Sequence, residues 1–404
     1  MRKILSLILY LFLLFSLIAC HSNDTTNSSL PSQLSEQKDD ETKIKEWYSK
    51  NKVKFTTAEL EKAINTQYVL PKNIILMIGD GMGINDIILT NRFGKSLFDF
   101  GLVIDHLPNQ GFSITDSAQG VTDSAAASTA LSTGEKAKNG RLGIDKNGNY
   151  VENTSELARH YNKKVGIVTN DAVFGATPSG FVVHCTDRSN TDEICQKLLT
   201  FAPDVLIGSS ASIFTESINK SDYHRILLED INLATDQAYW EGALNNDPDF
   251  EKAFFGFMNV SFSYDSSQLA QATELALNRL ENKDGFFLMV ESAGTDKAGH
   301  NKIIDNKIHG VSSFNKAVAV ALKYCMNNPD TILIVTSDHE TGGVTLPNGD
   351  YELSDSLFTT DQHTNAKVGV FALGYGTEYF NNKTVDNTDI AKFIHAAIKG
   401  ETYK

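Results

Sequence analysis

Four cysteines in 404 residues are too few to build a disulfide scaffold. No close cysteine pair is arranged with histidines, which excludes a Cys/His structural zinc module. Basic residues are also in short supply, 36 Lys and Arg against 50 Asp and Glu, for a formal charge of −14. No basic stripe with interleaved aromatics occurs, so the chain is expected to repel polyanions and to bind no nucleic acid specifically. An anionic ligand would need a local positive charge, such as a bound metal supplies. There is no repeat of fixed period, and solenoids and propellers are set aside. What remains is ordinary globular material, 41% hydrophobic and 21% charged, long enough for one large α/β domain or two smaller ones.

Residues 1–19 read as an export leader. Arg2 and Lys3 form a basic start, and Ile4 to Ala19 is an apolar run too short to span a membrane comfortably. Leu17-Ile18-Ala19-Cys20 resembles the bacterial lipobox, whose cysteine is lipidated and becomes the first residue. A lipid anchor at Cys20 is expected, holding an exported protein to a bacterial membrane, periplasmic or at the cell surface. Residues 20–45 are rich in Ser, Asn, Thr, Asp and Gln and read as a flexible tether. Residues 46–404 form the expected folded domain, opening with a short capped helix near Thr57 to Ile64. In an exported protein Cys185 and Cys195 lie close enough in sequence to bridge a loop. Cys325, in the apolar helical stretch from Ala317 to Met326, reads as a core thiol.

The rest of the chain is arranged around Asn73-Ile74-Ile75-Leu76-Met77-Ile78-Gly79-Asp80-Gly81-Met82-Gly83. Its apolar run predicts a strand buried on both faces. At the carboxyl end Asp80 lies between two glycines, which let the backbone turn sharply and admit a ligand closely. Alone, that is a strand ending in a polar turn, but the pattern recurs. Phe286 to Val290 is followed by Glu291, and Thr331 to Thr336 by Asp338 and His339. Open α/β sheets bind ligands outside the carboxyl ends of their strands. Three strands far apart in sequence thus deliver acids and imidazole to one edge, as a polynuclear metal site requires.

Gly120 to Ala130 places Ser124 at the head of an alanine-rich helix. Thr122 or Asp123 is a natural N-cap, and the helix start offers N–H groups and partial positive charge. Ser124 is there either one more cap or a nucleophile whose alkoxide is stabilised. Asp296 and His300, spaced i and i+4, would face the same way on a helix and grip one metal. Asp338-His339 adds an adjacent pair, and His363 lies in a polar loop after Asp361-Gln362. Arg188 offers a planar two-pronged clamp for phosphate, although a single arginine more often makes a surface ion pair.

Together, these segments resemble the alkaline phosphatase family over about residues 71–400. The motifs are Gly79-Asp80-Gly81-Met82-Gly83, Thr122-Asp123-Ser124-Ala125-Ala126, Ala176-Thr177-Pro178, Glu291 with Asp296 and His300, Thr336-Ser337-Asp338-His339-Glu340, and His363-Thr364, in the family's order. The resemblance implies a three-layer α/β/α sandwich with a large, mostly parallel central sheet. It implies a phosphoric monoester hydrolase of broad specificity acting on small phosphate monoesters at alkaline pH, and it extends to the homodimer common among relatives. One zinc would take Asp296, His300 and His363, and a second Asp80, Asp338, His339 and the Ser124 oxygen. Magnesium would take Thr177 and Glu291 and share Asp80. Ser124 is then the nucleophile that becomes phosphoserine, Arg188 clamps the phosphate, and Asp123 orients Arg188. The donor types agree with these metals, nitrogen-rich for zinc and all-oxygen for a hard cation.

The chain departs from the family pattern in places. Gly175 stands where many relatives carry Asp or His, a group that braces the magnesium's waters. A loosely held third metal is therefore expected, with Lys297 lacking a carboxylate partner. Asn365 follows His363-Thr364 where glycine is common, and the loop from Gly376 to Asn387 is short. Arg188, Thr177 and Glu291 together point away from the family's diesterase cousins, which usually lack the arginine and the third metal.

Overall fold

The computed structural model describes residues 53–94, 98–229, 231–235, 252–258 and 267–403. The expected leader and tether, with Cys20, lie outside the described residues. In chain order the strands are β1 (Asn73–Gly79), β2 (Asn109–Ile114), β3 (Lys164–Ala172), β4 (Val205–Ser209), β5 (Asn232–Ala234), β6 (Phe254–Phe257), β7 (Phe286–Ser292), β8 (Thr331–Thr336), β9 (Glu340–Thr341), β10 (His363–Thr364), β11 (Val368–Leu373) and β12 (Thr384–Asp386). Ten of them form one sheet in the order β12-β2-β11-β8-β1-β7-β3-β4-β6-β5, and β9 pairs with β10. Every neighbouring pair in the large sheet is parallel except those of β11, which runs against both β8 and β2.

The two-residue period of the strands divides the core into two layers. Ile75 and Met77 pack on one face with Leu288, Val290, Leu333 and Val335, beneath the Gln268–Leu280 and Ile304–Asn327 helices. Ile74, Leu76 and Ile78 pack on the other with Phe287, Met289, Ile332 and Ile334, beneath the Ser124–Thr133, Thr191–Phe201 and Asn387–Lys399 helices. Both faces of β1, β7 and β8 are therefore covered, which is why these strands read as unbroken apolar runs. The architecture is the expected α/β/α sandwich. The first described helix, Thr57–Asn65, carries a capping box between Thr56 and Glu59. Cys325 is a core thiol as expected. Cys185 and Cys195 are buried free thiols, and the bridge suggested by their spacing is not formed. Cys185 instead donates to the Asp187 carbonyl at 3.2 Å.

Parallel pairing brings the carboxyl ends of β1, β7 and β8 level. Gly79 is in register with Ser292, and Ile78 with Thr336. Asp80, Glu291 and Asp338 consequently emerge together at one edge of the sheet. The turn that carries Asp80 requires glycine at 81, which has φ +67°, and a Cβ there would meet the Asp296 Cα at 2.7 Å.

Candidate active site

Three histidines have their tautomers set by neighbours. His300 Nδ1 lies 2.7 Å from the Asp361 carbonyl, and His363 Nδ1 lies 2.8 Å from the Thr122 carbonyl. A carbonyl only accepts, so both Nδ1 atoms carry protons. The Thr341 hydroxyl donates to Asp296 Oδ1 at 2.6 Å and so accepts from His339 Nδ1 at 3.1 Å. In the neutral rings every Nε2 is then a bare lone pair, and these lone pairs converge. His300 Nε2 and His363 Nε2 are 3.2 Å apart and lie 3.3 and 3.4 Å from Asp296 Oδ1. His339 Nε2 lies 3.1 Å from Asp338 Oδ2 and 3.6 Å from Asp80 Oδ1. Acceptors facing acceptors at such distances repel unless a cation lies among them or a ring is protonated. The Nδ1 contacts are the kind that orient metal-ligating histidines from behind.

The donors fall into two overlapping groups, Asp296 with His339 and His363, and Asp80 with Asp338 and His339. All seven expected acid and imidazole ligands, Asp80, Glu291, Asp296, His300, Asp338, His339 and His363, lie in this one region. The structure adds that His339 reaches both groups, its ring stacked on His363 with centroids 3.6 Å apart.

Charge and burial point the same way. Burial pushes the Asp80 carboxyl well above its ordinary range, and Asp338, Asp296 and Glu291 push it further. Glu291 is pushed up to about 7, first by burial and then by the Asp171 carboxylate. Asp338 is buried too and Asp296 largely so, but His339 for the one, and His300 and His363 for the other, outweigh burial and hold both low. Asp80 Oδ1, Asp338 Oδ2 and Thr177 Oγ1 are buried without hydrogen-bond partners. Such orphans are costly, and bound cations would satisfy them. The residues present fit a metal centre.

Ser124 is not the cap of its helix. The N-cap of the Ser124–Thr133 helix is Asp123, whose Oδ1 accepts from Ala126 N at 2.9 Å. Ser124 is the first helical residue, and its Oγ lies 3.2 Å from His339 Nε2 in the donor cluster. The other Asp123 oxygen accepts from Gly140 N at 3.0 Å and Arg188 Nη1 at 3.1 Å. Arg188 also favours the charged form of Asp80, so its positive charge is felt within the cluster.

Around Glu291 the structure corrects one expectation. Lys297 does have a carboxylate partner, Asp171 Oδ1 at 2.5 Å. Sequence reasoning missed Asp171, although the signal was present: it follows the apolar run Val165 to Val168 just as Asp80 follows its own strand. Thr341, which sets both His339 and Asp296, was also missed, two residues past the Asp338-His339 pair. Thr169 donates to Glu291 Oε2 in a short hydrogen bond, and Thr177 lies near the same carboxyl.

Fold and donors together define a metal-binding α/β/α protein with a serine hydroxyl aimed into a carboxylate–imidazole cluster. The family signature described as "Alkaline phosphatase" matches residues 71–228 and 255–356. Alkaline phosphatase 4 of Bacillus subtilis (strain 168) is 32% identical over 304 residues, 68% of this chain and 62% of that protein. Alkaline phosphatase of Escherichia coli (strain K12) is 29% identical over 328 residues, 66% of this chain and 70% of that one. The solved alkaline phosphatase from the Antarctic bacterium TAB5 superposes with a TM-score of 0.73 at 29% identity, covering 83% of this chain and all of its own. The chain belongs to the alkaline phosphatase family. It spans less than two thirds of the Bacillus relative's length.

Proposed function

We propose that the protein hydrolyses phosphate monoesters through a phosphoserine on Ser124, with two zinc ions and one magnesium ion as cofactors. The observation that carries this reading is Ser124 Oγ against the lone-pair nitrogen of His339, beside buried carboxylates with orphaned oxygens. Asp296, His300 and His363 would hold one zinc, and Asp80, Asp338 and His339 with Ser124 the other. Thr177, Glu291 and Asp80 would hold magnesium. A TAB5 alkaline phosphatase variant with magnesium in its M3 site superposes on 82% of this chain with a TM-score of 0.73 at 29% identity, which supports a hard cation here. When bound, the cations act as Lewis acids on the negative charge that grows on the attacking and departing oxygens.

The chain's own groups do the rest. Ser124 stands at the start of a helix of 10 residues, where the N–H groups and macrodipole favour alkoxide and phosphate. Its Oγ bonds to phosphorus as the opposite ester P–O bond breaks and the alcohol leaves with a proton. Water then displaces the serine from phosphorus, releasing inorganic phosphate and restoring the hydroxyl. Arg188 holds two non-bridging oxygens in a planar fork, and Asp123 keeps that fork aimed.

Incubation with an aryl phosphate, acid quenching and mass spectrometry of the Ser124 peptide tests the reading. Phosphoserine is expected at that position, and Ser124→Ala should lower kcat by at least ~10²-fold. Near-normal turnover by a metal-replete variant would sink the assignment. The matching aryl diester and aryl sulfate should turn over far more slowly than the monoester.

We also infer a lipid anchor at Cys20 that holds the protein outside the cytoplasm. Cys20→Ala should shift the protein from the membrane to the soluble fraction without loss of activity, since every proposed ligand lies at Asp80 or beyond. Unchanged membrane partition would overturn the anchor.

A further inference from the structure

Gly175 puts no side chain beside Thr177, yet the surroundings of Glu291 do not lack a carboxylate. At the end of β3 the pairing with β4 slips between Val168 and Ala172. Irregularities of this kind re-aim side chains and occur next to active sites. The re-aimed segment is Thr169-Asn170-Asp171, and it is stitched to the end of β7. Thr169 is in register with Glu291 and donates to its carboxylate. Asn170 Oδ1 accepts from Ala293 N at 2.7 Å. Asp171 N donates to Thr169 Oγ1 at 2.9 Å, and Asp171 Oδ1 accepts from Lys297 Nζ at 2.5 Å. Lys297 follows the ligand Asp296 in the Gly294–Asn301 helix, so Asp171 is held between β3 and an element that bears a ligand. One of the Asp171 carboxylate oxygens is thus taken by Lys297, and 33% of its side chain is exposed.

The geometry points to Asp171 as the outer-sphere carboxylate of the third-cation site, delivered by the irregular end of β3 in place of a side chain at 175. Magnesium dehydrates reluctantly and keeps several waters, which a nearby carboxylate orders by accepting their hydrogen bonds. Thr177, Glu291 and Asp80 would contact the cation, while Asp171 holds its waters and Lys297 holds Asp171. Asp171 is a positioning residue, with no contact to substrate. This inference rests on the magnesium assignment in the proposed function.

The test is titration of zinc-loaded, magnesium-depleted protein with MgCl₂, followed by calorimetry. Asp171→Asn keeps the shape and loses the charge, and it should weaken magnesium binding by at least ~10-fold. Its urea stability without magnesium should match that of the wild type. Unchanged magnesium affinity overturns the proposal, and so does an affinity loss accompanied by an equal loss of magnesium-free stability, since a mere strut would do that. Gly175→Asp supplies a second reading that does not depend on the first variant folding. If Asp171 already fills the role, Gly175→Asp should gain less than ~3-fold in affinity, whereas a gain of ~10-fold or more means that the wild type lacked such a carboxylate. Ser124 phosphorylation reports on the hydrolytic reading separately. Its absence would remove that reading and leave the magnesium titrations interpretable.

Discussion

Asp123 caps a helix with one oxygen and holds Arg188 with the other, so the residue before the serine ties helix geometry to the proposed phosphate clamp. The fork is therefore braced rather than merely exposed, although 39% of the Arg188 side chain is accessible. A monoester has three oxygens free of carbon, two for this fork and one for the proposed cations, whereas a diester has only two and must leave one of these contacts to an esterified oxygen. Arg188→Ala should lower kcat/KM for an aryl monoester by roughly 1.5–3 kcal/mol, the worth of a hydrogen bond to a charged group. The matching diester should lose less. Equal losses on the two substrates, measured side by side, would mean that Arg188 does not discriminate between them.

At the scale of elements, the turn after β1 is locked from behind by a buried ion pair. Lys307, in the Ile304–Asn327 helix, donates to Asp86 Oδ2 at 2.8 Å and to the Gly81 carbonyl at 3.2 Å. Asp86 in turn accepts from Gly83 N at 2.8 Å. Both side chains are buried, with Lys307 at 0% exposure, and burial pushes the Asp86 carboxyl up despite the lysine. Removing one partner of such a pair strands a charge, whereas removing both charges is far better tolerated. Lys307→Met should cost about 3–5 kcal/mol in urea unfolding. Asp86→Asn combined with Lys307→Met should recover much of that loss, because Asn still accepts from Gly83. A double variant as unstable as the sum of the single ones would show that the pair is not coupled.

The whole molecule is balanced between folding and the site it carries. Several acids crowd one sheet edge, and in the metal-free protein the fold must bear their charge. Glu291 ordinarily titrates near 4.5 and is pushed up to about 7 in the fold, and Asp80 shifts the same way. A raised carboxyl favours the protonated fold, so its contribution is fully present below the ordinary value and is lost as pH rises through the folded value. The chelated protein should therefore lose stability from about pH 4.5 to 7 through Glu291, and Asp80 acts in the same direction. Asp296 and Asp338 act oppositely, adding stability above the ordinary value of 3.8 and losing it as pH falls. Scanning calorimetry across pH, with chelator and then with zinc and magnesium restored, checks this. A falling Tm in chelator, flattened by metals, is expected. Parallel curves would mean that Glu291 and Asp80 do not control the metal-free fold.

The central strands were legible in the amino-acid sequence because burial on two faces demands unbroken apolar runs, and Ile74 to Ile78, Phe286 to Val290 and Thr331 to Val335 meet that demand. The meeting of Asp80, Glu291, Asp338 and His339 was legible because parallel strands must present the residues at their carboxyl ends at one edge. The cap was open between Thr122 and Asp123, because either can accept from the first N–H groups, and only the folded turn decided for Asp123. The partner of Lys297 was beyond reach of local pattern. Asp171 lies 126 residues away, and the slip between β3 and β4 that aims it arises from the pairing of strands. Likewise, nothing in the spacing of His339 says that its ring serves both donor groups, since that depends on His363 stacking against it from β10. Which strands and side chains are buried follows from local composition, whereas which polar groups face one another follows from contacts between distant segments, and those exist only once the sheet has formed.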